Sequence, residues 1–438
     1  MPEGMELPYS QEAEEALIAS VFIRPDIYVT LDVEPMDFYL GKHRAIWQVF
    51  GELEHIDYVT VIERLKAKKQ LDGIGGSAYI TGLLTVNAFG ANAEDYSATV
   101  RDYARRRGLI RLTNDIVKAA FDTKKPIEES TAGFITGIVE ASRQSEGAQH
   151  ISGIVSDLYD EIEERSRNPQ DVWGLPTKFS TFDRLTGGLQ KSELMILSGE
   201  PGVGKSILGM QMGMQVSKTA PGVIYSMEMG AMQLVRRMLS GEAKVSTRSI
   251  KTGRLKDTDW SKITNGTDNL AVMNLYISDS SGWTTTGLRA DMARLKAQHG
   301  IEWFVLDYLY LLNDGAGKDE IERTAIASKG LKQICMDLNL AGIAIHSMNK
   351  AHMGSEGIPG NQSLRGSGQV IYDADIITYL TKFKPMTKAD DWITEDESDN
   401  MRTFWFGKGR ELEDSKKYFH LVKHPGYPIF AEYEKGQQ

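Results

Sequence analysis

Two hydrophobic rhythms run along the chain and divide it. Between residues 10 and 105 the apolar positions recur at helical spacing. Ser10 can cap a helix whose first turn carries Glu12 and Glu14 and whose buried face begins at Ala16, Leu17, Ile18 and Val21. Val59, Val61, Ile62 and Leu65 lead into another helix, expected to end at Gly73, Gly75 and Gly76. Further on, Ile151, Ile154, Val155, Leu158, Tyr159 and Ile162 fall on one face of a third helix, which Asn168-Pro169 stops. Glu161–Arg165 and Glu163–Arg167 make favourable i,i+4 pairs on its opposite side. Its apolar stripe must be covered either by its own domain or by a neighbouring copy, and periodicity does not choose between them. From residue 173 the rhythm changes. Short apolar runs at 194–197, 222–226, 303–306, 342–345, 376–379 and 403–406 alternate with helical stretches, which predicts a parallel α/β sheet.

Composition narrows the class. At 438 residues the chain exceeds one ordinary core, and 41% hydrophobic with 25% charged residues is the balance of a soluble globular protein. The start is acidic and contains proline, unlike a secretory leader, and Asp307 breaks the longest apolar run, so no membrane span is expected. A single cysteine, Cys335, excludes an intrachain disulfide and suits the cytoplasm; in its helical context it reads as a small core residue. The net charge of −10 argues against a basic coat for nucleic acid, so any such contact belongs to local loops or a pore lining. Arg101, Arg105, Arg106, Arg107 and Arg111 read as a solvated helix face, with a nucleic-acid patch as the other reading.

One segment carries explicit chemistry. Gly199-Glu200-Pro201-Gly202-Val203-Gly204-Lys205-Ser206 fits the phosphate-loop pattern without a mismatch, and it lies between an apolar strand and a helical stretch. Glycines there let backbone N–H groups curl around phosphates, and the helix N-terminus adds positive potential. Lys205 would reach the β and γ phosphates of ATP, and Ser206 would ligate Mg²⁺. Asp307, ending an apolar strand, suits water-mediated Mg²⁺ coordination or, more plainly, a turn cap. Tyr308 follows it, so the base that activates water must come from elsewhere; Glu228, just past the strand at 222–226, is the candidate, with a plain surface role as its rival. Arg237 joins the nucleotide-contacting set. Lys408 and Arg410 follow the strand at 403–406, as a solvated pair or as a clamp on a γ-phosphate. His420 and His424 have the spacing of a helical zinc pair, but their tract reads as extended, which disfavours a metal site.

These motifs, in this order, resemble the DnaB-type replicative helicases over nearly the whole chain. Gly174-Leu175-Pro176-Thr177 and Phe182–Leu189 (183–188: Asp-Arg-Leu-Thr-Gly-Gly) before the phosphate loop are similar to the entry of that family's ATPase domain. Tyr225-Ser226-Met227-Glu228-Met229 resembles its glutamate motif, Asp307 its metal-holding aspartate, and Lys408-Gly409-Arg410 its basic finger on the neighbouring subunit's site. Ser363–Gly368, with Arg365 and Gly366, followed by Asp373-Ala374-Asp375, resembles its DNA-binding loop. Pro8–Glu14 and Asp37-Phe38-Tyr39 with His43 are similar to its helical collar.

The resemblance implies a RecA-like α/β motor at 173–438 behind an all-α collar at 1–104, a helical hairpin extension at 105–148 and a linker at 149–172. It implies a homohexameric ring, with Ile151–Arg167 docked on the next subunit, moving 5′ to 3′ on single-stranded DNA with ATP and Mg²⁺. Primase and a helicase loader are the implied partners. A RecA-like strand-exchange ATPase and a non-motor, ATP-switched replication scaffold are the alternatives. Two departures stand out. Ser347 occupies the place of the family's usual sensor glutamine, with His346 beside it as a candidate substitute, and Gly366 stands where the DNA loop often has Glu. Both are compatible with a phage-encoded member.

Overall fold

The computed structural model describes residues 6–85, 92–121, 151–170, 172–314, 319–349, 359, 363–364, 368–383, 398–409 and 418–433. The chain divides into two compact units, Met1–Leu158 and Tyr159–Gln438.

The first unit is helical: α1 Gln11–Ile23, α2 Gly41–Phe50, α3 Tyr58–Ala67, α4 Gly76–Leu83 and α5 Ala93–Phe121. Ser10 caps α1 as expected, its hydroxyl accepting from the Ala13 N–H at 3.1 Å. The core gathers Leu17, Ile18, Trp47, Phe50, Val61 and Leu65. Two buried polar groups of this unit are paired: Glu14 accepts from the Tyr39 N–H at 2.6 Å and meets His43 at 2.7 Å, and His43 meets the Tyr79 hydroxyl at 2.6 Å. Two expectations need correction. α3 stops at Ala67, because Lys69 itself takes the left-handed conformation (φ 57°) and folds the chain back, while Gly76 opens the next helix. The arginine run is not one solvated face. Arg107 is buried, donating to the carbonyls of Pro8 and Asp37, whereas Arg101 pairs with Asp32 and Arg106 with Asp102 in solvent. α5 runs unbroken through residue 104.

α6 spans Ile151–Arg167, with both predicted ion pairs formed. None of its residues is buried, and Ile151, Ile154, Val155, Leu158, Tyr159 and Ile162 are each at least half exposed.

The second unit is built on a sheet with nine strands among the described residues: β1 Leu194–Gly199, β2 Gly222–Ser226, β3 Leu275–Ser278, β4 Trp303–Asp307, β5 Ala341–Ser347, β6 Ile376–Lys382, β7 Met401–Gly409, β8 Tyr418–Lys423 and β9 Phe430–Glu432. The order is β3-β2-β4-β5-β1-β6-β7-β8-β9, parallel as far as β6 and antiparallel beyond it. β1, β2 and β4 are buried along their whole length, which is why they read as unbroken apolar runs. The helices are α7 Ser180–Thr186, α8 Lys205–Val216, α9 Ala231–Ala243, α10 Thr247–Thr252, α11 Asp257–Ala271, α12 Thr285–His299, α13 Glu320–Asp337 and α14 Gln369–Asp373. Cys335 is fully buried on α13, and burial pushes its thiol pKa up, in keeping with a core role. His420 and His424 lie on and just past the extended β8, and among the described residues no three or more His, Cys, Asp or Glu side chains gather as a metal-binding group.

Candidate nucleotide site

Four parallel strands end together and their register aligns the site. Gly199 at the end of β1 is paired with Ser347 of β5, and Ser226 at the end of β2 with Asp307 of β4. The carboxyl edge of such a sheet, beside a strand where the order reverses, is where ligands gather in α/β folds. The Met227 N–H donates to the Asp307 carbonyl at 2.8 Å, and the Ser226 hydroxyl to the Met229 carbonyl at 2.8 Å. Those two bonds curl the turn that carries Glu228.

The phosphate loop leaves β1 under tight constraint. A Cβ on Gly199 would lie 2.2 Å from the Leu380 carbonyl oxygen. Gly204 combines φ +110° with a Phe430 ring carbon 2.7 Å from any added Cβ. Lys205 then opens α8, and its ammonium donates to the carbonyls of Gly199 and Glu200, both at 2.9 Å. Burial lowers the Lys205 pKa, opposed by the charges of Asp307, Glu228 and Glu200. Burial raises the Asp307 pKa, drawn back by a hydrogen bond from Ser206.

One oxygen of Asp307, Oδ1, is buried without a hydrogen-bond partner. A buried carboxylate oxygen left unsatisfied costs free energy that a hydrated cation can offset, so the donor set fits Mg²⁺. A cavity of about 720 Å³ opens over these groups, lined by Pro201, Gly202, Gly204, Lys205, Ser206, Glu228, Arg237, Asp307 and Ser347. That is a volume suited to a bound small molecule.

A family model described as the DnaB-like helicase C-terminal domain matches residues 174–415, and one for the DnaB-like helicase N-terminal domain matches residues 6–102. The chain belongs to the DnaB-like helicases. It is 32% identical to the replicative DNA helicase DnaC of Bacillus subtilis (strain 168) over 85% of each chain. It is also 32% identical to the replicative DNA helicase DnaB of Geobacillus stearothermophilus, over 89% of this chain and 87% of that one. A solved DnaB-like replicative helicase, described with its interactions with primase, superposes with a TM-score of 0.70 at 22% identity, covering 97% of this chain and all of that one. The fold is therefore the family's: an N-terminal helical domain and a RecA-like ATPase domain.

In this DnaB-like chain the predicted nucleotide residues do not all face the cavity. Val203 turns its side chain into the core, and Glu200 meets Lys205 through its carbonyl. Ser347 lines the cavity. His346, the next residue on β5, is buried off the cavity lining and donates from Nδ1 to the Ser347 carbonyl at 2.8 Å. Lys408 on β7 donates to the carbonyls of Ile371 and Ala374, at 2.5 and 2.6 Å, within its own subunit. Gly368 is exposed at the start of α14, while Arg365, Gly366 and Arg410 lie outside the described residues.

Sequence reasoning missed one wall altogether. Lys423 and the segment 424–428, which joins β8 to β9, line the same cavity. The only hint was an extended tract ending in two prolines, and nothing in it pointed to the phosphate loop. Arg402 on β7 was missed as well; its Nε donates to the Val203 carbonyl at 3.1 Å and braces the loop from outside.

Proposed function

We propose that this DnaB-like helicase hydrolyses ATP with Mg²⁺ to move 5′ to 3′ along single-stranded DNA and part the duplex at a replication fork. The observation that carries the reading is the convergence of Lys205, Ser206, Glu228 and Asp307 around one cavity at the carboxyl edge of the sheet. Lys205 leaves its two loop carbonyls to take the β and γ phosphates. Ser206 and, through water, Asp307 would hold Mg²⁺, which would supply charge neutralisation for the triphosphate. Glu228 accepts the proton of the attacking water, and Ser347, the polar β5 residue lining the cavity, is the sensor in preference to His346.

Each site is completed in trans. Arg410 and Lys408 of one subunit approach the phosphates of the next, and Lys408 must give up its carbonyl partners to do so. The exposed apolar stripe of α6 supports docking on a neighbouring copy in a homohexameric ring. Along the chain, the assignment is collar 1–104, hairpin 105–148, linker 149–172 and motor 173–438. Arg365 and the backbone at Gly366 and Gly368 hold the sugar-phosphate of DNA with little sequence preference. Primase and a loader are the partners of the assembled ring; the solved relative described with primase supports the former.

The test is unwinding of a forked duplex with either a free 5′ or a free 3′ tail, with ATP and Mg²⁺, beside a Lys205→Ala control. Unwinding that requires the 5′ tail and disappears in the control is expected. Unwinding from the 3′ tail would reverse the direction. ATP turnover insensitive to DNA would favour a non-motor scaffold.

A further inference from the structure

Side chains hold the phosphate loop by its carbonyls from two directions. Lys205 donates to those of Gly199 and Glu200 from within the site, and gives them up when it turns to phosphate. The carbonyl of Val203 accepts from Arg402 Nε at 3.1 Å, and Arg402 takes no part in that exchange. Arg402 comes from the start of β7, among the antiparallel strands, and is itself anchored. It is paired with Lys382 of β6 and Leu421 of β8, and its Nη1 donates to the carbonyls of Asp399 at 2.8 Å and Met401 at 2.6 Å. Gly202 and Gly204 line the cavity, whereas Val203 and Arg402 do not.

The Val203 carbonyl and the Gly204 N–H belong to one trans peptide plane and point in opposite directions. A donor that draws the carbonyl away from the cavity therefore aims the N–H towards it. The local sequence does not fix that direction. Turning the peptide over changes ψ of Val203 and φ of Gly204, and glycine accepts either sign of φ. The flanks of the plane are tied all the same. The Val203 side chain is buried in the core, and the Gly204 carbonyl accepts the Leu208 N–H at 2.9 Å, opening α8. Between these fixed points Arg402 sets which face of the peptide meets the cavity. A guanidinium on the carbonyl also polarises the peptide, which makes its N–H a stronger donor.

We propose that Arg402 is a positioning residue for the nucleotide: by holding the Val203 carbonyl it presents the Gly204 N–H to a phosphate oxygen. It acts through the peptide and touches no ligand. The assignment rests on the nucleotide reading of the same cavity.

Two substitutions isolate the bond. In Arg402→Gln the amide nitrogen lies as many bonds from the backbone as Nε, so a donor to Val203 survives without the charge. Arg402→Met has similar reach and no donor. Both lose the Nη1 bonds, so the pair differs in the hydrogen bond to Val203. Calorimetric titration of the full-length protein with Mg²⁺ and the non-hydrolysable analogue AMP-PNP reads the difference. Arg402→Met is expected to bind about tenfold more weakly than wild type, and Arg402→Gln within about twofold of it. Wild-type affinity in Arg402→Met overturns the assignment. So does equal loss in both variants, which would make the charge, and not the held peptide, the cause. Should Arg402→Met not fold, Arg402→Asn replaces it with the same expected loss, its amide being too short to reach the carbonyl. Wild-type protein that binds no AMP-PNP overturns the nucleotide reading, and the assignment with it.

Discussion

Gly199 and Ser347 are paired across β1 and β5, so the residue that opens the phosphate loop and the residue facing the cavity from the next strand share one rung of the sheet. The Met348 N–H adds a bond to the Gly199 carbonyl at 3.2 Å. A movement of β5 at this point is therefore felt at the base of the loop. Ser347→Ala removes one hydroxyl from the cavity wall without changing the pairing. It should leave AMP-PNP affinity within about twofold and lower DNA-stimulated ATP turnover about fivefold, the worth of one hydrogen bond made during turnover. Steady-state turnover with and without single-stranded DNA reads the difference.

Asp307 gives a pH-dependent prediction. Its carboxyl holds a proton more tightly in the folded chain than in the unfolded one, because burial outweighs the Ser206 hydrogen bond. The charged form is a liability to the fold above both pKa values, and that liability disappears as pH falls below the unfolded value. Asp307→Asn should therefore stabilise the nucleotide-free motor at neutral pH by about 1 kcal/mol, or roughly 3 °C in Tm, with the gain vanishing near pH 4. The same variant should lose Mg²⁺-dependent turnover. Calorimetric scans across pH, with and without Mg²⁺ and AMP-PNP, test both halves.

The apolar stripe of α6 gives an assembly prediction. Leu158→Glu places a charge on a face that is already in solvent in the single chain, so folding should be unaffected. If the stripe docks on a neighbouring copy, burying that carboxylate costs several kcal/mol per subunit and the ring should fall to smaller species. Light scattering after size exclusion gives the mass, and an intact hexamer in Leu158→Glu would exclude the docking role.

Arg107 gives a stability prediction for the helical unit. Its guanidinium is the donor to two inward-facing carbonyls, of Pro8 and Asp37, and burial lowers its pKa. Arg107→Ala leaves both carbonyls without that donor and should cost about 2 kcal/mol. Arg105→Ala, two residues away, should cost less than about 0.5 kcal/mol. Urea denaturation of the two variants side by side measures the contrast.

The contrast between these arginines marks where the sequence stops being informative. Largely apolar runs located β1, β2, β4, β5, β6 and β7, because these stretches of strand are buried and admit few polar residues. β3, with four half-buried residues, and the short β9 offered no such run. Arg107 looks like its neighbours because a solvated guanidinium and one that ties two carbonyls inside a fold are the same residue type. The phosphate loop and Asp307 were legible because their chemistry demands a local pattern. The segment between β8 and β9 was not, since its place at the site depends on Gln211 meeting Phe430 across 219 positions of chain.

That separation also sets a timetable. When the phosphate loop leaves the ribosome, Gly204 has no ring against it and Gln211 has no partner for its amide. Both arrive only with β9, 219 residues after Gln211, which at ordinary elongation rates is roughly 10–45 s of further synthesis. A nascent chain thus displays its phosphate loop long before it owns a finished pocket, and nucleotide cannot be held in the complete site until the sheet's far antiparallel edge has been laid down.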